Sequence, residues 1–139
     1  MENKRWNDKG TAAVEFALVL PLLLLMLFAI IEFSIAMYDK AIVTNASREG
    51  ARRGILMLDP RTTAAEVAAT VTGYCGTHLI SFSAAPAVPS TTVSGSCGAS
   101  GDLLTVTVAY SYTFFVLPNF LNTLTGPLVL NGVTVMRCE

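Results

Sequence analysis

The sequence predicts an α+β fold in which a long N-terminal helix crosses a membrane and carries a small antiparallel sheet on its outer half. Of the 139 residues, 53% are hydrophobic and only 14% are charged, whereas a soluble globular chain has about 25% charged residues. The charges are concentrated in residues 1–61, since Glu66 and Asp102 are the only charged residues between Thr62 and Met136. Near the C-terminus, apolar and polar residues alternate over a long run, which is typical of a β-strand.

Composition also limits the classes of function. The chain has 10 acidic and 9 basic residues and a net charge of −1, so it lacks the basic surface of a nucleic-acid-binding protein. Its single histidine, His78, restricts imidazole chemistry to one residue, and the sequence has no glycine-rich phosphate loop and no nucleophile elbow. We therefore expect no enzymatic activity, no catalytic residue, no cofactor, no nucleic-acid partner and no small-molecule substrate.

The apolar N-terminal run is predicted to be a transmembrane helix. No charged residue lies between Glu15 and Glu32. The intervening residues would rise about 24 Å as a helix, and apolar neighbours extend the run past the roughly 20 residues that cross a bilayer. We expect the transmembrane helix at residues 11–38 and its extracytoplasmic continuation at residues 39–58. A buried core helix is the alternative, but so short a chain has little other material to cover it.

Glu15 is an acid within this apolar run, where a carboxylate costs roughly 2.5–3.5 kcal/mol on insertion scales and is usually present for a partner. Cleavage after Gly10 would make Glu15 the fifth residue of the mature chain and would free an α-amine on Thr11. That amine would lie about one helical turn from the carboxylate, and the amine of a neighbouring copy could approach equally well. If residues 1–10 are a cleaved leader, Glu15 would therefore neutralise an N-terminal amine.

Two stretches carry a family resemblance. Gly10 followed by Glu15 and Phe16, the apolar run and Pro21 resemble the class III signal of type IV pilins and pseudopilins. The stretch AIVTNASREGARRG, residues 41–54, resembles the region after the membrane helix of TadE-like proteins of the tight-adherence (Flp) pilus system. The resemblance implies that a prepilin peptidase cuts after Gly10, and that the mature protein is a minor pilin or pseudopilin of a Tad/Flp-type pilus or secretion machine.

The resemblance also implies a location and partners. The protein would be a single-pass protein of the bacterial inner membrane with its C-terminal region in the periplasm, and it could enter an extracellular pilus. Its partners would be the prepilin peptidase, other pilins or pseudopilins, the inner-membrane assembly platform and membrane lipid. Basic residues flank both ends of the span, so charge alone does not decide the orientation. The motif match implies a packing role in subunit assembly for Arg48, Glu49, Gly50, Ala51 and Arg52.

The residues alone leave a second export mechanism open. Residues 34–36 form a small-x-small pattern after an apolar region, so an ordinary signal peptidase could cut after Ala36 and release a soluble binding domain. Against this alternative, the apolar run is longer than a typical signal core and Glu32 lies just before the site. A mature N-terminus at Thr11 or at Met37 would distinguish the two mechanisms.

We predict one continuous helix from about Thr11 to about Leu58, roughly 70 Å long. Pro21 removes the hydrogen bond to the Ala17 carbonyl and should kink or loosen the helix. In a pilin-like protein such a kink would help subunits to leave the bilayer, although transmembrane helices also tolerate proline without any such role.

Small residues recur along the outer part of this helix. Ala46, Gly50 and Gly54 are spaced by four residues and form a stripe that a sheet or a partner helix can approach closely. Glu49 and Arg53 are spaced for an i, i+4 ion pair beside the stripe. The sequence therefore predicts a packing face flanked by charges.

Residues 59–139 are predicted to form the small α+β region. Asp59-Pro60 ends the long helix, and Thr63 with Glu66 forms a capping box that opens a short helix through about Val71. The alternation from Leu104 to Phe114 predicts a strand whose apolar face the long helix covers. The other predicted elements are a weak strand at 79–83, loops at 84–101 and 119–127, a tight turn at Asn131-Gly132 and a last strand at 133–137.

The three cysteines, Cys75, Cys97 and Cys138, allow three single disulfides and leave one thiol over. We expect Cys75 to pair with Cys97, which would join the loop to the short helix, while Cys138 could instead pair between chains. A Cys₃His zinc site that includes His78 is an alternative, but an oxidising compartment favours disulfides. We expect no metal site.

Overall fold

The computed structural model describes residues 4–82, 88–114, 126 and 128–139, and for residues 4–9 it describes the backbone alone. Within these residues the chain forms two helices and a three-stranded antiparallel sheet, so the expected α+β class is confirmed. The elements are α1 (Lys4–Ile55), α2 (Ala64–His78), β1 (Ser90–Ser94), β2 (Leu103–Tyr112) and β3 (Leu128–Arg137).

Helix α1 has 52 residues and continues through Pro21, so it is about 78 Å long. Its segment Gly10–Ile55 is long and apolar enough to cross a membrane. Up to Ile31 almost every described side chain of this segment is exposed, and burial begins at Glu32. The helix ends at Ile55, three residues before the expected end.

Strand β2 lies at the centre of the sheet, with β1 and β3 on either side. Its apolar residues face helix α1, and the whole strand alternates between buried and more exposed positions, as predicted. It runs opposite in direction to α1: Leu104 contacts the helix at Gly54, whereas the Tyr112 hydroxyl donates a hydrogen bond to Glu32. The sheet therefore packs along the outer half of α1.

Helix α2 covers the stripe of small residues on α1. A Cβ atom at Gly50 would lie 2.6 Å from Val71 Cγ2, and one at Gly54 would collide with a Leu104 methyl carbon. The stripe is needed because α2 and β2 both approach the helix at these positions. Its predicted packing role is confirmed, and the core lies between α1, α2 and the inner face of the sheet.

The predicted tight turn at Asn131-Gly132 is wrong, because both residues lie inside β3. Gly132 is paired with Val108 and faces helix α1. A Cβ atom there would lie 2.7 Å from the Val43 carbonyl oxygen. The glycine thus serves a close approach between strand and helix, and the strand begins at Leu128 instead of residue 133.

The capping box at the start of α2 is confirmed. The Thr63 side chain accepts a hydrogen bond from the Glu66 N–H at 3.3 Å, and the Glu66 carboxylate accepts one from the Thr63 N–H at 2.7 Å. The helix continues to His78, well beyond the expected end at Val71, because Cys75 extends the buried face by another turn.

Two other predicted boundaries need correction. Leu79–Phe82 is not a strand, and Ser83 lies outside the described residues. The predicted loop at 84–101 contains strand β1, which pairs with β2 through backbone hydrogen bonds that its polar side chains do not signal. The predicted loop at 119–127 lies outside the described residues except for Gly126.

Candidate functional site

The residues expected to take part in processing lie on one exposed helical segment. Gly10, Thr11, Glu15 and Phe16 all belong to α1, and each is exposed. Nothing lies within 4 Å of a Cβ placed on Gly10. Thr11 and Glu15 are four residues apart and therefore share a helix face. This segment, which we call the amino-terminal site, is accessible to another protein.

The residues carried over from the assembly motif form a separate site. Arg48 lies about 50 Å from Glu15 along the same helix, at a rise of 1.5 Å per residue. Gly50 and Ala51 are buried against the globular region, whereas Arg48 and Arg52 are exposed. This segment, Arg48–Arg52, is called the outer cluster below. Its small residues pack inward and its arginines face solvent.

The ion pair of the outer cluster differs from the expected one. Glu49 pairs with Arg52 and not with Arg53: Arg52 Nη2 lies 2.9 Å from Glu49 Oε1, and Arg52 Nε lies 3.1 Å from Oε2. The i, i+3 spacing lets the guanidinium engage both carboxylate oxygens. Hydrogen bonding to Arg52 lowers the pKa of Glu49, and the same bond raises the pKa of Arg52.

Sequence reasoning missed three polar residues on the buried stripe of α1. Glu32, Asp39 and Ser47 are 1%, 0% and 0% exposed. Glu32 Oε1 accepts a hydrogen bond from the Tyr112 hydroxyl at 2.7 Å, and Asp39 Oδ1 accepts one from the Ile80 N–H at 3.0 Å. The Ser47 hydroxyl lies 2.7 Å from that of Thr134. These contacts tie the sheet and the α2–β1 connection to α1.

The spacing of the two carboxylates is the signal that could have revealed them. Glu32, Asp39 and Ala46 are seven residues apart in turn, so the acids lie on the same face as the predicted small-residue stripe. Burial raises the pKa of Asp39, although the bond from the Ile80 N–H acts in the opposite direction. Burial, reinforced by the Glu32 carboxylate, raises the pKa of Tyr112. The acids therefore lie in a desolvated environment.

The expected Cys75–Cys97 disulfide is wrong, because the bridge joins Cys97 to Cys138. Pairing of β2 with β3 sets Leu103 opposite Arg137 and brings the C-terminus beside the β1–β2 loop. Cys138 is therefore held within its own chain, and its N–H donates to the Asp102 carbonyl at 2.8 Å.

Cys75 is a buried free thiol on the inner face of α2. Desolvation, followed by the nearby charge of Asp39, raises its pKa to about 11. The zinc alternative is not formed, since the disulfide uses two of its four ligands. His78 lies exposed at the end of α2 and stacks on Tyr74 with ring centroids 4.4 Å apart.

The fold and these sites define a class of protein in which, among the described residues, one N-terminal helix is able to cross a membrane. The outer half of this helix supports a small α+β region. Residues 10–52 match the family model described as TadE-like protein. The match confirms the resemblance to TadE-like proteins, and it includes the amino-terminal site and the outer cluster. No curated protein and no solved structure is significantly similar to the chain.

Proposed function

We propose that this protein is a membrane-anchored, non-catalytic assembly subunit, a minor pilin or pseudopilin of a Tad/Flp-type pilus or secretion machine. It resides in the bacterial inner membrane with its globular region in the periplasm. The observation that carries the proposal is the family match over residues 10–52. This part of α1 combines an acid near a candidate cleavage site with the face that supports the globular region.

Processing creates the functional form of the amino-terminal site. A prepilin peptidase cuts after Gly10 and leaves an ammonium group on Thr11. Because Glu15 is exposed on the same helix face, its carboxylate neutralises this amine or the amine of a neighbouring subunit. An acid in an apolar span is costly without such a partner, so neutralisation favours the docking of subunits in register.

The outer cluster supplies a second contact with other pilins or with the assembly platform. Its Glu49–Arg52 pair is exposed, and exposed pairs contribute little stability. Arg48 is exposed as well. Charged groups that contribute little to the fold are free to select partners, which fits a role in subunit assembly.

The burial of Ala36 and Glu32 supports the anchored form over release by signal peptidase. Ala36 is 6% exposed and belongs to the core of the globular region, so cleavage after it would cut α1 inside that core. Cleavage after Ala36 would also remove Glu32, whose carboxylate accepts the hydrogen bond of the buried Tyr112 hydroxyl. Loss of a buried acceptor typically costs about 1–3 kcal/mol.

The intact mass of the native protein tests the processing step. We expect a mature chain that begins at Thr11, and we expect Gly10→Leu to retain the ten-residue leader. Gly73→Leu is the matched control, because a Cβ there also meets nothing within 4 Å. A native chain that begins at Met37, or a shortened Gly10→Leu product, would contradict the proposal.

Glu15→Ala tests the assembly role. We expect cleavage to continue, because the glycine is intact, and incorporation into pili or pilin complexes to be lost, because the amine has no counter-ion. Glu139→Ala removes another exposed carboxylate at the far end of the chain and should leave assembly unchanged. Normal piliation of the Glu15→Ala strain would argue against the mechanism.

A further inference from the structure

One end of the globular region lies directly at the point where α1 becomes buried. The Glu32–Tyr112 hydrogen bond sets the C-terminal end of β2 at the level of Glu32, the first buried residue after the exposed apolar segment. Because β2 runs opposite to α1, Leu104 lies at the other end, beside Gly54. No spacer separates the apolar segment from the globular region.

Exposed apolar side chains gather at this near end. Leu128, at the start of β3, is paired with Tyr112. The Ile80 N–H donates a hydrogen bond to Asp39, and Val88 lies just before β1. The proximal rim, as we name it, consists of Tyr38, Ile80, Phe82, Val88 and Leu128, which are 45%, 38%, 48%, 71% and 39% exposed.

The rim is continuous with the apolar surface of α1. Phe33 and Met37 are 67% and 50% exposed, and they carry the apolar surface from the last turn of the span to Tyr38. A surface that continues without interruption from a membrane-spanning helix meets the same environment as the end of that helix.

Charge is distributed in the opposite way. After residue 58 the charged residues of the sequence are Asp59, Arg61, Glu66, Asp102, Arg137 and Glu139. They lie in the connection between α1 and α2, in the first turn of α2, and in or next to the paired ends of β2 and β3, all at the far end of the globular region.

Near the rim, the acids Glu32 and Asp39 are buried. The Lys40 ammonium group donates a hydrogen bond to the Asn131 carbonyl oxygen, and His78 is exposed at the end of α2. Among the residues that the structure describes, the near end therefore presents apolar and aromatic groups with very little exposed charge.

The lower part of the rim lies at the height of the headgroup layer. If the span ends at Ile31, Asp39 lies about 12 Å above its end, since each helical residue rises 1.5 Å. The polar layer on each side of the hydrocarbon core is roughly 5–8 Å thick. The rim residues at and below the level of Asp39 thus lie within or just above this layer, where aromatic residues are enriched.

We propose that the proximal rim contacts the headgroup layer of the same membrane that α1 spans, so that the globular region rests on the lipid surface. This inference rests on the membrane anchoring in the proposed function. Lipid contact is then a second attachment besides the helix, and a subunit that leaves the bilayer must release both.

Single-tryptophan variants of the full chain in phosphatidylcholine vesicles test the contact. The only natural tryptophan is Trp6, so the background is Trp6→Phe. Phe82→Trp reports on the rim, Phe28→Trp on the span and Leu103→Trp on the far end, where Leu103 is 60% exposed and serves as the matched control. Each variant is measured at high lipid-to-protein ratio with lipids brominated on the upper acyl chain.

We expect blue-shifted emission and partial quenching for Phe82→Trp, weaker than the quenching of Phe28→Trp, and neither effect for Leu103→Trp. Val88→Trp is a second rim probe at a highly exposed position, and should behave as Phe82→Trp does. If both rim probes match Leu103→Trp while Phe28→Trp is quenched, the chain is anchored but the rim does not touch lipid, and this inference fails alone.

Two other outcomes also decide the matter. If Phe28→Trp is not quenched, the anchoring itself is wrong and both proposals fall. If the rim probes shift to the blue only as the protein-to-lipid ratio rises, and brominated lipid does not quench them, a neighbouring subunit covers the rim instead of lipid.

Discussion

At Gly132 strand β3 approaches the backbone of α1 rather than its side chains. A methyl group there would meet both the Val43 carbonyl oxygen and the Thr44 Cα atom, at 2.7 and 3.0 Å. Backbone atoms of a helix cannot move aside as a flexible side chain can. The position therefore requires glycine for space, without any unusual backbone angle.

Gly132→Ala should lower the free energy of unfolding by about 1–3 kcal/mol, as other overpacked cores do. Gly73→Ala is the control, because its Cβ enters open space on α2, and alanine there should stabilise the helix by roughly 0.5–1 kcal/mol. Thermal unfolding of both variants in detergent checks the pair. Equal stability of Gly132→Ala and the natural protein would contradict the close approach.

Asp39 is a buried acid, and among the described residues only one of its two carboxylate oxygens has a hydrogen-bond partner. Oδ1 accepts the Ile80 N–H, but Oδ2 is buried without a hydrogen-bond partner among the described residues. Burial raises its pKa above the ordinary value of 3.8. The folded chain therefore holds the carboxyl proton of Asp39 more tightly than the unfolded chain does. As pH rises from the unfolded pKa to the folded pKa of Asp39, ionisation of this group lowers the stability of the protein.

Asp39→Asn removes this ionisation and keeps an acceptor for Ile80. We expect the stability of the variant relative to the natural protein to increase as pH rises above 3.8, by at most about 1.4 kcal/mol for each pH unit, and then to level off. The pKa shifts of Glu49 and Glu66 are the same in both proteins, so they cancel in the difference between the two free energies of unfolding. Unfolding of both proteins at a series of pH values measures the difference between their free energies of unfolding. A difference that does not change with pH would contradict this account.

Among the secondary-structure elements, α2 depends on its first turn. The capping box joins Thr63 to Glu66 through reciprocal bonds, and Val67 and Val71 then bury the face that covers the small residues of α1. The hydrogen bonds to Thr63 lower the pKa of Glu66. Loss of the cap should loosen the helix from its start.

Thr63→Ala should cost about 1 kcal/mol of stability, the usual effect of removing a threonine N-cap. Thr72→Ala, at an exposed position in the interior of the same helix, should be neutral or slightly stabilising, because alanine favours helix. Denaturation of the two variants in parallel separates the cap from a general effect of losing threonine. If Thr72→Ala is the more harmful change, the cap does not act as described.

The elements with strong local patterns were predictable from the sequence. The apolar run, the spacing of Ala46, Gly50 and Gly54, and the alternation of β2 predicted the long helix, its packing face and the central strand. The capping box likewise predicted the start of α2. In each case a single segment carries the information.

The remaining features depend on contacts between distant segments. Strand β1 is largely Ser and Thr, and only its pairing with β2 makes it a strand. The Cys97–Cys138 bridge follows from the register of β2 and β3, which no local pattern gives. Similarly, Glu32 was interpreted as the end of an apolar run, because its partner Tyr112 lies 80 residues away.

On the scale of the whole molecule, the disulfide closes the far end of the globular region. It joins the β1–β2 loop to the C-terminus across 41 residues of sequence. A bridge of this kind typically contributes about 2–4 kcal/mol. Cys97→Ser should reduce stability by that amount, and Cys138→Ser should match it, since each change breaks the same bond.

Thiol counting by mass after maleimide treatment checks the connectivity. We expect no label on the folded protein, because Cys75 is buried with a pKa of about 11. Unfolding should expose one thiol, and unfolding with reduction all 3 cysteines. Labelling of Cys97 or Cys138 without reduction would contradict the bridge.

Helix α1 runs without a break from Lys4 to Ile55, and the sheet is fixed to it from Glu32 onward. The number of helical residues that precede Glu32 therefore sets the orientation of the globular region around the axis of α1. One extra residue there would rotate the whole globular region by about 100° around the helix axis and shift it along that axis by about 1.5 Å. The length of the exposed segment below Glu32 thus determines which side of the globular region lies above the amino-terminal site.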